Sequence, residues 1–249
     1  MDALILAGGE NAKPLENNHK IYNKALLMIN NIPMVEYVVD ALNEAKDIQN
    51  VYVIGPKIEL MPHIGEKVSQ IIDATDSIVE NVNIGISHIN NDEKIMILTS
   101  DVPLITGKMI DDFIEECQNY EAFLYYPVIK KELIIKKFPQ TIRSYASLKE
   151  GTFCGGNMVM MSSSLFTTNK ALLDEVFQKR KDILKYAALL GAKFIIKYLF
   201  KCLTIQEIED RAAEIVGYPV KAIMVNYPEM MIDLDKLSDY ELILQALNK

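Results

Sequence analysis

The sequence opens with MDALILAGGENAKPL (Met1–Leu15), in which the apolar run Ala3–Ala7 leads directly into the glycine pair Gly8–Gly9. A short, uninterrupted apolar run that ends at glycine is typical of a strand buried on both faces, as in a parallel sheet. Because glycine lacks a Cβ, the backbone N–H groups of the following turn can approach a phosphate closely. The stretch predicts an inner parallel strand and a candidate phosphate loop, although a glycine pair taken alone also fits a simple turn.

The same strand pattern recurs further along the chain, in VYVIG (51–55) and KIMILTSD (94–101). The segments PMVEYVVDALNEAK (33–46) and SIVENVNIGISHI (77–89) lie between these strands and have apolar residues at helical spacing. Strands that alternate with helices imply right-handed crossovers and an α/β fold with a mostly parallel, doubly wound sheet. Such sheets bind ligands beyond the carboxyl ends of their strands, where the glycine pair and Asp101 are both expected.

The rest of the chain adds further strands and a mostly helical region. Residues 165–215 are predicted to be largely helical, and Ser238-x-x-Glu241 is a capping-box pattern that predicts the start of the last helix. The additional predicted strands are AFLYYPV (122–128), NMVMMS (157–162) and KAIMVNY (221–227). We therefore interpret residues 1–249 as a single domain with a helical subdomain over 165–215.

Composition and charge exclude several classes of protein. The chain has 249 residues, 50% of them hydrophobic, which is enough for a sizeable buried core. Its formal net charge of -8 disfavours nucleic acid as a partner, and three widely spaced cysteines favour a reducing, cytoplasmic location. No uncharged apolar stretch is long enough for a transmembrane helix. The nearest one, Leu189–Ile205, carries lysines at four-residue spacing and fits either a core helix or a helix at a membrane surface.

Sequence motifs of other enzyme classes are missing. The chain contains neither the P-loop pattern nor the G-x-G-x-x-G fingerprint, which disfavours a Rossmann-like methyltransferase or dinucleotide enzyme. The three histidines have no metal-ligand spacing, and there is no G-x-S-x-G motif of a hydrolase.

A more specific signal comes from four motifs in order along the chain. They are LAGG (6–9), NKALLMINNIPMVEYVVDAL (23–42), LTSDVPLIT (98–106) and MIDLDKLSDYEL (231–242). At these positions the sequence resembles the MobA-like nucleotidyltransferases, relatives of the molybdenum-cofactor guanylyltransferase and of the sugar-nucleotide and methylerythritol cytidylyltransferases. The resemblance covers nearly the whole chain and implies a Rossmann-like sheet of the nucleotide-diphospho-sugar transferase type.

The resemblance also implies a nucleotide site. Lys24 is expected to contact phosphates. Lys13 stands where the family usually has arginine, whose planar guanidinium can donate two hydrogen bonds to one phosphate, whereas a lysine ammonium acts as a point charge. Asp73 and Asn81 fall in the segment that contacts the base or ribose in relatives, and an exposed helix start explains them equally well. The loop residues expected to bind the nucleotide are Leu6, Ala7, Gly8 and Gly9.

An aspartate in the place of Asp101 ligates magnesium in the family, which makes Mg²⁺ the expected cofactor. The position of Asp101 before Val102–Pro103 also fits a simple turn. The second ligand in the family lies just before the last helix, and Asp235 matches that place better than Asp233. The sequence agrees, because a strand-to-helix turn ahead of Ser238 would present Asp235 at the same edge as Asp101.

The acceptor side rests on a second glycine pair, in GTFCGGNMVMM (151–161). Relatives bind the acceptor at this place, so Gly155, Gly156 and Asn157 are the acceptor-side candidates, covered by the helical subdomain. Arg143 fits contact with an anionic acceptor, and an exposed loop arginine is the alternative.

The expected function is transfer of a nucleoside monophosphate from an NTP to a phosphate or hydroxyl of a small-molecule acceptor, with release of pyrophosphate. Lys24, Asp101 and Lys13 are the expected catalytic residues. The donor is expected to be GTP or CTP, and the acceptor is either hydrophilic or lipid-linked. A catalytically silent nucleotide sensor on the same fold is the alternative, and a homodimer is common among relatives.

Overall fold

The opening strand lies in the interior of a nine-stranded sheet in the computed structural model. The structure describes residues 1–8, 23–89, 94–166, 168–170, 172 and 191–248. In the large sheet, the strands are β1 (Asp2–Leu6), β4 (Asn50–Gly55), β5 (Gln70–Asp73), β6 (Lys94–Thr99), β7 (Leu124–Lys130), β8 (Ala146–Leu148), β9 (Gly151–Gly155), β10 (Met158–Ser162) and β11 (Val220–Met224), and a separate hairpin contains β2 (Met28–Ile29) and β3 (Ile32–Pro33).

Helices cover both faces of this sheet. They are α1 (Met34–Glu44), α2 (Lys57–Ile64), α3 (Ile78–His88), α4 (Gly107–Cys117), α5 (Lys131–Lys137), α6 (Ala192–Leu199), α7 (Ile205–Val216) and α8 (Leu237–Leu247). The apolar stripes of α1 and α4 enter one buried cluster, and that of α3 enters a second cluster with Leu4 of β1. A Cβ on Gly85 of α3 would lie 2.4 Å from Leu4, so this glycine lets the helix pack closely over the central strand.

The sheet confirms the predicted mostly parallel, doubly wound architecture. Its order is β5-β4-β1-β6-β10-β7-β9-β8, with β11 pairing to β7. Strand β1 pairs in parallel with β4 on one side and with β6 on the other, at Leu4↔Tyr52 and Leu4↔Ile97. Only β9 and β10 run against the other strands of this sheet. The carboxyl ends of β1, β4, β5 and β6 therefore meet at one edge.

The sheet divides next to β6. Strands β9 and β10 are two halves of one extended segment, and their register along β7 shifts between Gly155↔Val128 and Met160↔Tyr125. The first half pairs with β8 and the second half pairs with β6. The carboxyl ends of β1 and β6 lie where the strand order reverses, which is where a doubly wound sheet binds its ligands.

Two of the helix predictions differ from the structure. The last helix begins at Leu237, and Asp239 rather than Glu241 accepts the N-terminal hydrogen bond, from the Lys236 N–H at 2.9 Å. The predicted apolar helix 189–205 is interrupted, because α6 ends at Leu199 and the chain turns through a positive φ at Lys201. Both α6 and α7 agree with the helical prediction for 165–215, but residues 173–190 lie outside the described part. Within that part, no helix is both long and apolar enough to cross a bilayer.

Candidate active site

The end of β1 is fixed by its neighbours on both sides. The Leu6 carbonyl accepts from Ser100 N–H at 3.2 Å, and the Ala7 N–H donates to the Ile54 carbonyl at 2.8 Å. A Cβ on Gly8 would lie 2.5 Å from the Ala74 Cβ. The first glycine therefore makes room for a neighbouring loop of the protein itself, which is a different reason from the close approach of a phosphate that the sequence suggested. Gly9 and Lys13 lie outside the described residues.

Lys24 is held at this edge by the residue before it. The buried Asn23 side chain donates to the Ala7 carbonyl at 2.7 Å and accepts from Ala25 N–H at 2.7 Å, so it caps a short 3₁₀ turn, Lys24–Leu26. The turn presents the Lys24 ammonium to two carboxylates, Asp101 Oδ2 at 2.7 Å and Asp235 Oδ1 at 2.8 Å. Asn23 is a site residue that the sequence motifs do not mark, although it precedes a candidate site lysine and belongs to a residue type that caps helices.

Three carboxylates meet beyond the end of β6. Asp101 follows this strand, and its carbonyl accepts from Leu234 N–H at 3.0 Å, which brings the segment before α8 to the same edge. As a result, carboxylate oxygens of Asp101, Asp233 and Asp235 all lie within 4.8 Å of one another. The structure thus brings together Asp101 and Asp235, and it adds Asp233, which the sequence analysis had ranked as the weaker alternative to Asp235. We call these three aspartates the carboxylate cluster.

Burial and neighbouring charges shift the pKa values of the residues in and around the carboxylate cluster. Burial raises the pKa of Asp233 to about 6, with Asp235 and Asp101 adding to the effect and Arg143 opposing it. Burial alone would also raise the pKa of Asp235, but its hydrogen bond to Lys24 and the lysine charge hold that pKa below its ordinary value. Conversely, the carboxylates hold the pKa of Lys24 above its ordinary value despite burial. Asp101 Oδ1 is buried and has no hydrogen-bond partner among the described residues.

Arg143 lies next to Asp233 of the carboxylate cluster. It is not an exposed loop residue, since its side chain is only 8% exposed. Its guanidinium contacts Asp233 Oδ1 at 2.7 Å, the Asp233 carbonyl at 2.9 Å and Asp239 Oδ1 at 3.1 Å. The alternative of an exposed arginine is therefore wrong. Contact between Arg143 and an acceptor stays a prediction, and the structure shows this side chain already engaged by two carboxylates.

Asp73 and Asn81 have different environments at the neighbouring strand end. Asp73 is exposed at the end of β5, and its carboxylate accepts from Lys57 N–H at 3.3 Å. Asn81 is buried, so it is not part of an exposed helix start. Its side chain accepts from Thr75 N–H at 2.6 Å and Thr75 Oγ1 at 2.9 Å and donates to the Thr75 carbonyl at 3.0 Å. Asn81 therefore shapes the 74–77 loop beside Gly8.

The second glycine pair lies beside the carboxyl end of β6. A Cβ on Gly155 would lie 2.3 Å from the Tyr126 hydroxyl, and one on Gly156 would lie 2.9 Å from Pro127 Cγ. The Asn157 carbonyl accepts from Thr99 N–H at 3.1 Å, which joins this segment to the end of β6. These residues therefore lie on the opposite side of β6 from the first glycine loop, and their contact with an acceptor stays a prediction.

A cavity of about 840 Å³ lies on the other side of Asp239, between α1, α8 and the segment after α5. Its walls include Tyr37, Leu104 and Thr141. Lys24 and the carboxylate cluster are not among its lining residues. We place the candidate site at the cluster rather than in this cavity, because an ammonium and three carboxylates converge at the sheet edge, and these are groups that can bind phosphates and cations.

The doubly wound sheet thus carries a lysine and a carboxylate cluster at its carboxyl edge, which is where α/β proteins of this class bind their ligands. The model of the MobA-like NTP transferase domain matches residues 3–191, and the chain belongs to this family. This family places it among the nucleotidyltransferases of the NTP transferase type.

Solved structures agree with this assignment. A hypothetical transferase from Thermus thermophilus is 31% identical, with a TM-score of 0.86 over 96% of this chain and 98% of the other. The 4-diphosphocytidyl-2C-methyl-D-erythritol synthase from Anaerococcus prevotii is 10% identical, with a TM-score of 0.61 over 100% and 98% of the two chains. A CMP:2-keto-3-deoxy-manno-octonic acid synthetase complexed with CTP is 11% identical, with a TM-score of 0.60 over 99% and 97%. The last two show likeness of fold alone. No curated protein matches the chain.

Proposed function

We propose that this protein transfers a nucleoside monophosphate from an NTP to a phosphate or hydroxyl of a small-molecule acceptor, with release of pyrophosphate. The observation that carries the proposal is the convergence of Lys24 with the carboxylate cluster at the carboxyl edge of the sheet. Membership of the NTP transferase family supports the same chemistry. CTP is the first donor to test, since a protein of the same fold was solved with CTP, and GTP is the second.

The residues of the cluster fit a divalent cation. Carboxylate oxygens are the ligands that Mg²⁺ prefers, and the partnerless, buried Asp101 Oδ1 is an acceptor with unused capacity. Among the described residues, the four neighbouring acids, Asp101, Asp233, Asp235 and Asp239, are paired with two cations, Lys24 and Arg143, which leaves a formal charge of -2. Asp101, Asp233 and Asp235 would hold Mg²⁺, which would neutralise phosphate charge in the reaction.

The chain's own groups supply positioning and charge. The ammonium of Lys24 offsets charge that grows on the α-phosphate and the leaving pyrophosphate. An acceptor phosphate is already ionised at pH 7, so attack at the α-phosphorus needs no general base, and the reaction depends on holding the two substrates in line. The sheet edge between the first glycine loop and residues 155–157 is the place where they would meet.

The experiment is a two-stage screen. Thermal unfolding is first measured with CTP, GTP, UTP, ATP and dTTP, each with and without Mg²⁺, and pyrophosphate release is then measured with the stabilising nucleotide and a panel of sugar and polyol phosphates. We expect one nucleotide to raise the Tm only when Mg²⁺ is present. Asp101→Asn should abolish release, and Asp210→Asn, an exposed carboxylate on α7, should leave it unchanged.

Two results would contradict the proposal. If no nucleotide raises the Tm, the site does not bind an NTP. If a nucleotide binds and no phosphorylated or hydroxylated acceptor releases pyrophosphate, the silent sensor replaces the enzyme.

A further inference from the structure

The segment that carries two members of the carboxylate cluster is held by side chains outside the cluster. Arg143 binds both the carboxylate and the carbonyl of Asp233, at 2.7 and 2.9 Å. Asp239 Oδ2 accepts from Asp235 N–H at 3.1 Å and from Lys236 N–H at 2.9 Å. The two side chains also bind each other at 3.1 Å, so together they form one continuous clamp on residues 233–236.

Burial distinguishes the clamp from the residues that it holds. The side chains of Arg143 and Asp239 are 8% and 6% exposed, whereas the Asp235 carboxylate is 59% exposed. A mostly exposed carboxylate has little packing to fix its position, and the Asp235 carboxylate is held from outside its own segment by its ion pair with Lys24. Its backbone, by contrast, is fixed by a buried ion pair whose two partners have little freedom to move.

We propose that Arg143 and Asp239 are positioning residues that set the divalent-cation affinity of the carboxylate cluster by fixing the backbone of residues 233–236. This inference rests on the proposed function, because it assumes that the cluster holds a cation. Three carboxylates repel one another, so without the clamp the segment would relax toward larger separations and the oxygens would no longer share one ion. Partners that orient metal ligands in this way typically change metal affinity 10- to 100-fold, so we expect a loss of about this size.

The test measures Mn²⁺ binding directly, by the EPR signal of free Mn²⁺ during titration of the full chain. Asp239→Asn keeps the shape of the side chain and removes its charge, and we expect the Kd for Mn²⁺ to rise about 10- to 100-fold. Arg143→Lys keeps the charge and removes the fork, and it should raise the Kd in the same direction. It provides a second, independent variant if Asp239→Asn fails to fold.

Two control variants separate positioning from general stability. Glu209→Gln removes another buried carboxylate, which binds Lys221 Nζ at 2.9 Å and Ala222 N–H at 2.8 Å in α7 and β11. Glu241→Gln removes an exposed carboxylate from the same helix as Asp239. Both controls should bind Mn²⁺ as the unmodified protein does. In pyrophosphate release, Asp239→Asn should raise the Mg²⁺ concentration for half-maximal rate and leave the rate at saturating Mg²⁺ much less changed.

Each outcome has a distinct meaning. If the unmodified protein binds no Mn²⁺, the metal site of the proposed function is wrong and the inference fails with it. If it binds Mn²⁺ and Asp239→Asn binds with the same Kd, the positioning role alone is wrong. If Glu209→Gln weakens binding as much as Asp239→Asn does, the effect is general destabilisation and the clamp has no specific role.

Discussion

Replacement of Lys24 by methionine tests the electrostatic balance of the site, because it removes the ammonium and keeps an unbranched side chain. The ion pair with Asp101 joins two mostly buried groups, 18% and 19% exposed, and a hydrogen bond to a charged group of this kind contributes about 1.5 to 3 kcal/mol. The pair with Asp235 involves a 59% exposed carboxylate and contributes about 0.5 kcal/mol. We expect Lys24→Met to lower the free energy of unfolding by about 2 to 3.5 kcal/mol at pH 7.

The pH dependence of this loss of stability follows from the shifted pKa values of Lys24 and Asp235. The pKa of Lys24 is raised, so its contribution is present below the ordinary value of 10.5 and is lost as the pH rises through the folded-state pKa. The pKa of Asp235 is lowered, so its contribution is present above the ordinary value of 3.8 and is lost as the pH falls through the folded-state pKa. The difference between Lys24→Met and the unmodified protein should therefore be largest between these two values.

The assay is urea unfolding in EDTA from pH 3 to pH 11, and at pH 7 also with saturating Mn²⁺ in place of EDTA. A divalent ion should reduce the loss, because it neutralises the same carboxylates that Lys24 neutralises. Lys108→Met is the control, since its ion pair with Asp112 lies on an exposed helix surface. If Lys24→Met is as stable as the unmodified protein in EDTA at pH 7, the argument from charge is refuted.

Three further results are expected. Gly8→Ala should destabilise the protein by about 1 to 3 kcal/mol in urea unfolding, because its Cβ would lie 2.5 Å from Ala74, and an unchanged midpoint would contradict the packing. Asp233→Asn should stabilise the protein in EDTA by up to about 3 kcal/mol at pH 8 and by little at pH 4. The reason is that the pKa of Asp233 is raised from 3.8 to about 6, so the unmodified protein loses stability as the pH rises from the first value to the second. An equal gain in stability at both pH values would exclude this cause. In thiol titration at pH 8, Cys202 should react in the native protein, whereas Cys117 and Cys154 should react only in urea. Burial raises the pKa of Cys117 to about 12 and that of Cys154 to about 11. Three reactive thiols without urea would contradict this burial.

The central strands and their helices were predictable because the signal for each is local. Ala3–Ala7 and IMIL in KIMILTSD are continuous apolar runs, and α1 and α3 have apolar residues at a helical period. Such patterns need no information from elsewhere in the chain. They also placed the glycine loop and Asp101 at one edge, since carboxyl ends of parallel strands meet there.

The capping residues of the last helix were predicted wrongly because two overlapping patterns compete. Ser238-x-x-Glu241 is a recognisable capping box, but the N-cap of the helix is Lys236 and its partner is Asp239. Asp239 accepts hydrogen bonds from two successive backbone N–H groups, and its other oxygen binds Arg143, which adds an ion pair that Glu241 lacks. A contact with a residue 96 positions away decides between the patterns, so no local motif could have decided it.

The site itself depends on such distant contacts. Lys24 meets Asp101 across 77 positions and Asp235 across 211, so the motifs around these residues mark them as candidates but do not show that they contact one another. A sequence can show that acids are present but not that four of them share two cations. Burial raises the pKa of Asp233, with the charges of Asp235 and Asp101 adding to the effect, so the ionised Asp233 costs stability at neutral pH. Acids that cost stability at the edge where a doubly wound sheet binds its ligands are the physical reason to look for a divalent cation there.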